Sequence, residues 1–381
     1  MTTSASGKAL IIGGSLGGLF MATLLRASGW QVDVFERSAA ELDSRGGGIV
    51  LQPEVLHALR YAGIRPGHAL GVMSRERLYL QQDGTIAHQQ LMPQMQTSWS
   101  TLYNTLMSNF PEDHYHRGAQ LVDLQQRDQR VIAQFADGRE AEGDLLIGAD
   151  GAGSTVRHLL LPGMKPSYSG YVVWRGLIEE QQLPECAARL LRENFVFQQD
   201  PESLMLDYMV PGLNGSVAEQ ERRYNWLWYL KAAKGAQLDA VLTDRDGVRR
   251  SHSVPPGSLA STQDAWLREM ARQHLNPAFR KLVEQTDDIF VQAIQDFKVP
   301  RMVFDRVLLT GDAAFVPRPH TAGSTAKAAA NALALVQAFQ GSDDLDDALF
   351  TWQQRQLIEG ARMNDWGVQM GNRIMGIAQS A

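Results

Sequence analysis

The sequence predicts an α/β protein in three parts: a lobe built on a parallel βαβ core, a sheet-rich lobe inserted into it, and helices at the C-terminal end. Three observations predict it. The chain opens on strand, glycine turn, helix and second strand within about 30 residues. Two further short apolar strands, far along the chain, each end in a Gly and Asp turn. Between them lies a stretch rich in aromatic residues with strand alternation.

Taken in order, Lys8–Ile12 is a short apolar strand, followed by the turn Gly13-Gly14-Ser15-Leu16-Gly17-Gly18. Leu19, Ala22, Leu24 and Leu25 give the next segment helical spacing, and Gly29 closes it. Gln31–Glu36 alternates like a strand and ends in an acid. A helix N-terminus offers unpaired N–H groups and a partial positive charge to a pyrophosphate, and glycines let the two backbones approach. Gly13 and Gly18 supply two of the three glycines such a turn usually carries, and Ser15 replaces the middle one. Glu36 stands where a carboxylate accepts both ribose hydroxyls of an adenosine. The structural alternative is a strand-end surface acid. Turn, helix, strand and acid together point to a dinucleotide, and the turn alone does not choose FAD over NAD.

Farther on, 144–147 reads as a buried strand, followed by a Gly-Ala-Asp-Gly turn and a helix over 154–160. Residues 306–310 form a third strand ending at Gly311-Asp312. Helical spacing covers 322–339, and 346–370 reads as one or two further helices. Strands are expected at 171–175, 203–210 and 224–230. The resulting division gives a discontinuous cofactor lobe of 1–75, 96–160 and 286–345, a substrate lobe of 76–95 and 161–285, and a C-terminal helical segment of 346–381.

Composition excludes several classes. With 381 residues, 44% hydrophobic and 20% charged, the chain buries a large core. The net charge is -6, with no basic stripe, so nucleic acid is not an expected partner. Cys186 is the single cysteine, so neither an intrachain disulfide nor a thiolate zinc cluster can form. His114 and His116 without cysteines make a poor metal site, and no metal is expected. No apolar run approaches the roughly 20 residues of a membrane helix, so the expected location is cytoplasmic.

Gly148-Ala149-Asp150-Gly151-Ala152-Gly153-Ser154-Thr155-Val156-Arg157 and Leu308-Leu309-Thr310-Gly311-Asp312-Ala313-Ala314 resemble the Asp-Gly and Gly-Asp motifs of single-component (class A) FAD-dependent aromatic hydroxylases. The resemblance runs over nearly the whole chain. It is strongest toward the hydroxypyridine-hydroxylating members, through Arg45-Gly46-Gly47-Gly48-Ile49-Val50-Leu51-Gln52-Pro53-Glu54, Gly170-Tyr171-Val172-Val173-Trp174-Arg175-Gly176 and Pro317-Arg318-Pro319-His320. It implies a Rossmann-like FAD-binding lobe of the para-hydroxybenzoate hydroxylase type, with an inserted mixed-sheet substrate lobe and C-terminal helices. It also implies non-covalent FAD, NADH or NADPH as a transient co-substrate, and hydroxylation of an electron-rich ring through a flavin C4a-hydroperoxide.

The cofactor residues so implied are Gly13, Ser15, Leu16, Gly18, Glu36, Arg37, Arg45, Asp150, Asp312, Ala322, Gly323 and Ser324. Asp312 would accept a hydrogen bond from the ribityl chain, and the helix starting near Ala322 would aim its N–H groups at the flavin's pyrimidine edge. Asp150 reads alternatively as a turn residue and helix cap, and Arg37 as a surface arginine. Phe315, Gly323-Ser324 and Asn331 depart from the His, Gln-Gly and Asp common in the family, and helix 99–107 lacks an arginine often found there.

For the substrate, candidate walls are Trp174, Tyr208, Trp226, Trp228 and Tyr229, of which strand alternation turns only part toward a pocket. The candidate catalytic residues are His320, Arg175 and Tyr208. His320 is a pocket base or a plain loop histidine, and Arg175 binds an anionic substrate or pairs internally. The expected partners are a small aromatic or N-heteroaromatic substrate and dioxygen, with a homodimer as the candidate assembly and no membrane. Two other readings compete: a flavin-dependent halogenase, from the Trp-x-Trp stretch at Trp226 and Trp228, and a flavin-binding ligand sensor without turnover.

Overall fold

The opening strand Lys8–Ile12 is apolar and buried almost throughout because it lies inside a parallel sheet covered on both faces. In the computed structural model, which describes residues 7–42, 47–66 and 69–378, this strand pairs in parallel with Gln31–Glu36 and with Leu145–Gly148. Val307–Leu309 adds to the second of these and Tyr115–Arg117 to the first, both in parallel, and Val303–Phe304 closes the sheet as an antiparallel edge. Helices Leu16–Ala27 and Ser324–Gly341 pack together over this sheet. A small antiparallel sheet, Leu121–Arg127, Arg130–Phe135 and Glu140–Gly143, sends Val131, Ala133 and Phe135 into the same core.

The second sheet is larger and mostly antiparallel. Its centre is the run Phe290–Lys298, Ser167–Glu179, Arg223–Lys231, Ser203–Val210 and Asn194–Asp200. Val72–Leu80 continues it in parallel to Asn194–Asp200, then Ile86–Ser98 and Gly48–Val50 follow. Two of these strands correct the division expected from sequence. Phe290–Lys298 and Gly48–Val50 were assigned to the cofactor lobe, but both pair within this sheet. Phe290–Lys298 does so because Val291 and Ile294 point to opposite faces and each finds an apolar layer there.

Alternation also sorts the aromatic residues. Trp174, Trp226 and Trp228 pack with Met205 and Met209 against helices Ser261–His274 and Pro277–Gln285. Tyr171, Tyr208 and Tyr229 share the opposite face with Val173 and Leu204. The three tryptophans therefore do not wall the pocket, and the Trp-x-Trp stretch is core rather than site.

The C-terminal segment is one continuous helix, Leu345–Ile374. Its buried residues Trp352, Gln356, Gly360, Asn364, Gly367 and Gly371 recur every three or four positions and form one stripe. Glycine is needed because the 315–321 loop lies against this stripe. A Cβ on Gly360 would come within 2.5 Å of the Phe315 ring, and one on Gly371 within 2.5 Å of the Tyr171 hydroxyl. Asn364 Nδ2 donates to the Phe297 carbonyl at 2.6 Å, pinning the helix to the sheet. Among the described residues no helix is long and apolar enough to cross a membrane.

Overpacking at this stripe is testable. Gly360→Ala is expected to lose about 1–3 kcal/mol in urea unfolding. Gly341→Ala, where a Cβ meets nothing within 4 Å, is expected to be neutral or slightly stabilising. Equal stability of the two variants would contradict the packing described here.

Candidate active site

Three turns meet at the carboxyl ends of Lys8–Ile12, Leu145–Gly148 and Val307–Leu309 and enclose a cleft of about 400 Å³. Gly13 sits at φ +105°, and a Cβ there would lie 2.6 Å from the Ala149 carbonyl oxygen, so the first and second turns touch through backbone. Gly18 is equally tight against the Gly13 carbonyl and sets the approach of helix to strand. Ser15 and Leu16 line the cleft. Helix Leu16–Ala27 has no acid in its first turn and no side-chain cap, so its leading N–H groups and positive dipole end stay available to an anion. The Ser15 hydroxyl instead accepts from Trp99 Nε1 at 3.3 Å, and Trp99 forms part of the cleft wall.

Glu36 is buried at the cleft floor. Its Oε2 accepts from Gly14 N at 2.9 Å and its Oε1 from Ser38 N at 2.8 Å, which fixes the carboxylate and leaves lone pairs on both oxygens. Arg37 lines the cleft beside it. Asp150 also lines the cleft, and it caps the helix that follows: Oδ2 accepts from Thr155 N at 2.7 Å and Val156 N at 3.1 Å, and Oδ1 accepts from the Ser154 hydroxyl. Burial raises its pKa against the pull of these bonds. Both readings of Asp150, cap and cleft residue, describe the same side chain.

Asp312 faces the cleft with its side chain 39% exposed. Its turn is held by Asn331, whose Oδ1 accepts from Gly311 N and Thr310 Oγ1, each at 3.1 Å. Arg157 ties the second and third turns together, donating to the Ala152 carbonyl at 2.5 Å and the Ala313 carbonyl at 3.1 Å. Helix Ser324–Gly341 begins at the same edge, again with no side-chain cap and no acid in its first turn. Ser324 lines the cleft, while Ala322, in the left-handed region at φ +50°, lines the neighbouring cavity. Gly323 abuts the Met363 sulfur. Arg45 lies outside the described residues. An open helix end, a glycine cradle, a buried acid fixed at the strand end and an exposed carboxylate beyond it fit FAD.

The neighbouring cavity has a volume of about 1350 Å³. Tyr208, Tyr229 and His320 line it, with Val50 and Gln52 from the strand and turn that follow Gly48. His320 Nε2 is 3.0 Å from the Tyr171 hydroxyl, and its ring packs 4.3 Å from the Tyr229 ring. Burial, and secondarily the charge of Arg318, lowers the His320 pKa to about 3, so the imidazole is neutral. Burial pushes the Tyr208 hydroxyl up to about 12 and the Tyr171 and Tyr229 hydroxyls higher still. Arg318 is itself paired with Asp296 at 2.6 Å.

Arg175 shares the strand face of Tyr171 and Val173 but does not line the cavity, because Gly47 covers it. Its guanidinium fills the space a Gly47 side chain would take and stacks 5.5 Å from the Phe290 ring. Other wall residues escaped the sequence reading. Trp366, Met370, Arg373 and Ile374 come from one side of the terminal helix, and Arg77, over the Phe195 and Phe197 rings, comes from the opposite wall. The three-to-four spacing of the helical set was its only signal in the sequence.

A family model described as FAD binding domain-like matches residues 168–296, which fall mainly on the larger sheet. The chain is 36% identical over 369 residues to a 2,6-dihydroxypyridine 3-monooxygenase of Paenarthrobacter nicotinovorans, covering 96% of this chain and 90% of the relative. The solved structure of 2,6-dihydroxypyridine-3-hydroxylase from Arthrobacter nicotinovorans superposes with a TM-score of 0.92 at 33% identity, over 99% of this chain and 95% of that one. Klebsiella pneumoniae HpxO complexed with FAD and uric acid shares the fold, with a TM-score of 0.77 at 21% identity over 97% and 89% of the two chains. Cleft, cavity and comparisons agree: the chain belongs to the FAD-dependent aromatic-ring monooxygenases.

Proposed function

We propose that this enzyme hydroxylates an electron-rich, already hydroxylated aromatic or N-heteroaromatic ring, a hydroxypyridine in the first instance, with NAD(P)H and dioxygen as co-substrates. The observation that carries the reading is His320: a neutral imidazole, bonded to Tyr171, in the wall where the cavity meets the N-terminus of helix Ser324–Gly341. The 36% identity to a dihydroxypyridine monooxygenase supports the choice of ring.

FAD, when bound, supplies the activation of dioxygen with electrons taken from the nicotinamide. The chain's own residues bind, orient and shield. The N-terminus of helix Leu16–Ala27 would hold the pyrophosphate, Glu36 would accept the ribose hydroxyls, and Asp312 would accept from the hydroxylated chain. The uncapped N-terminus of helix Ser324–Gly341 would stabilise negative charge on the reduced flavin. With Nε2–H donating to the Tyr171 oxygen, the neutral His320 leaves Nδ1 to accept a hydrogen bond from a substrate hydroxyl, which orients the ring and draws electron density onto it without a full proton transfer. Tyr208, Tyr229 and the terminal helix line the cavity with largely apolar surface, which disfavours water beside the reacting ring.

The purified protein is expected to carry a flavin spectrum and to oxidise NADH or NADPH faster when a hydroxypyridine is present, giving a product heavier by one oxygen. Ligand-stimulated oxidation with no oxygenated product from any hydroxypyridine or phenol would reject the reading.

Glu36→Gln is expected to weaken FAD binding by about 10- to 100-fold, read from flavin fluorescence on dilution, since a hydrogen bond to a charged group contributes about 1.5–3 kcal/mol. An unchanged dissociation constant would remove Glu36 from the ribose site.

For His320→Gln, kcat is expected to fall by about tenfold, the loss of one well-placed hydrogen bond to the substrate hydroxyl. Because His320 is neutral at every working pH, the wild-type rate profile should show no step from it near about 6.5. The same shift acts on stability. Between about pH 6.5 and about 3 the unfolded imidazole binds a proton that the folded one refuses, so stability falls as pH drops through that window. Thermal melts of His320→Gln should decline less steeply there, and parallel curves would contradict the burial of this group.

A further inference from the structure

The Gly-Asp turn has a partner that the mechanism above leaves unused. Lys327 lies in the first turn of helix Ser324–Gly341 with its side chain 5% exposed. A cation at this end opposes the helix dipole, and burying an ammonium is expensive unless it is paired. The pairing is present: Nζ donates to Asp312 Oδ1 at 3.0 Å and to the Phe315 carbonyl. Helical side chains lean toward the N-terminus of their helix, which brings the ammonium back under the Gly311–Ala313 turn. Burial pulls the Lys327 pKa down and the Asp312 carboxylate opposes the fall. Lys327 engages Oδ1, and among the described residues nothing bonds to Asp312 Oδ2.

We propose that Lys327 is a positioning residue for the flavin: its ion pair turns the Asp312 carboxylate toward the cofactor's hydroxylated chain and cancels that carboxylate's charge beside the ring that is reduced. This rests on Asp312 as a flavin ligand. Two-electron reduction by the hydride of NAD(P)H adds negative charge to the ring, and an uncompensated carboxylate nearby would oppose it. The pair lets the site keep an acceptor for the cofactor hydroxyl without that penalty.

The test uses FAD-loaded protein, with midpoint potentials from dye-coupled titration and FAD dissociation constants from fluorescence. Lys327→Gln retains polar contacts without the charge, and Lys327→Met removes both. Each is expected to favour oxidised over reduced flavin by about tenfold, a fall of about 30 mV for a two-electron couple. Asp312→Asn should move the potential upward and weaken FAD binding, and the double variant Lys327→Met with Asp312→Asn should return the potential toward wild type. An unchanged potential in Lys327→Gln, shifts of one sign in both single variants, or a double variant as low as Lys327→Met would overturn the proposal. Should Asp312→Asn weaken FAD while Lys327→Gln does nothing, Lys327 alone is wrongly assigned. If Asp312→Asn leaves both readouts unchanged, the role of Asp312 falls with it.

Discussion

The cleft depends on one constraint: three turns far apart in the chain must meet at a sheet edge with almost no side chain between them. Backbone bonds from Gly13 N to the Phe35 carbonyl, Ala149 N to the Ile12 carbonyl and Thr310 N to the Gly148 carbonyl hold the strands in register there. Gly13 and Gly18 remove the atoms that would keep the first turn from its neighbours, and Arg157 joins the other two. Glu36, Asp150 and Asp312 reach one cleft only because these contacts are tight, and a displacement of one strand would move all three carboxylates relative to each other.

A second close approach sets the substrate side. The long terminal helix lies on the loop bearing His320 through its glycine stripe, and its outer turns supply Trp366 and Met370 to the cavity wall. The Tyr171 hydroxyl sits between Gly371 and the His320 imidazole, so helix packing and the environment of the candidate base are coupled through one contact. The departures from the family pattern also have structural counterparts. Phe315 packs against Gly360, and Asn331 bonds the backbone of the Gly-Asp turn.

Much of the parallel core was legible because its signals are local. Gln31–Glu36 lies where the spacing predicts it, and Leu145–Gly148 and Val307–Leu309 fall within a residue or two of their expected bounds. The inserted sheet was harder, since its strands are apolar on both faces. An aromatic residue in such a strand gives no sign of which side it takes, and Trp174, Trp226 and Trp228 took the helix-covered side while Tyr208 and Tyr229 took the cavity. Arg175 faces the predicted side but is covered by Gly47, a contact between residues distant in sequence. Lys327 gave no signal either, because a lysine in an alanine-rich helix reads as a solvated surface group.

The order of the parallel strands also governs how the polypeptide comes off the ribosome. Lys8–Ile12 emerges early, and its neighbour's neighbour Val307–Leu309 follows roughly 300 residues later, a wait of about 15 to 60 seconds at about 5–20 residues per second. For the later part of that interval, the roughly 160 residues between its own emergence and that of Val307–Leu309, Leu145–Gly148 presents an unpaired apolar edge, the kind of surface on which nascent chains associate wrongly. Flavin cannot shorten the interval, because its cleft does not exist until the last strand is in place. Cofactor availability should therefore act on the finished chain, protecting it from reopening, rather than on the early steps of its folding.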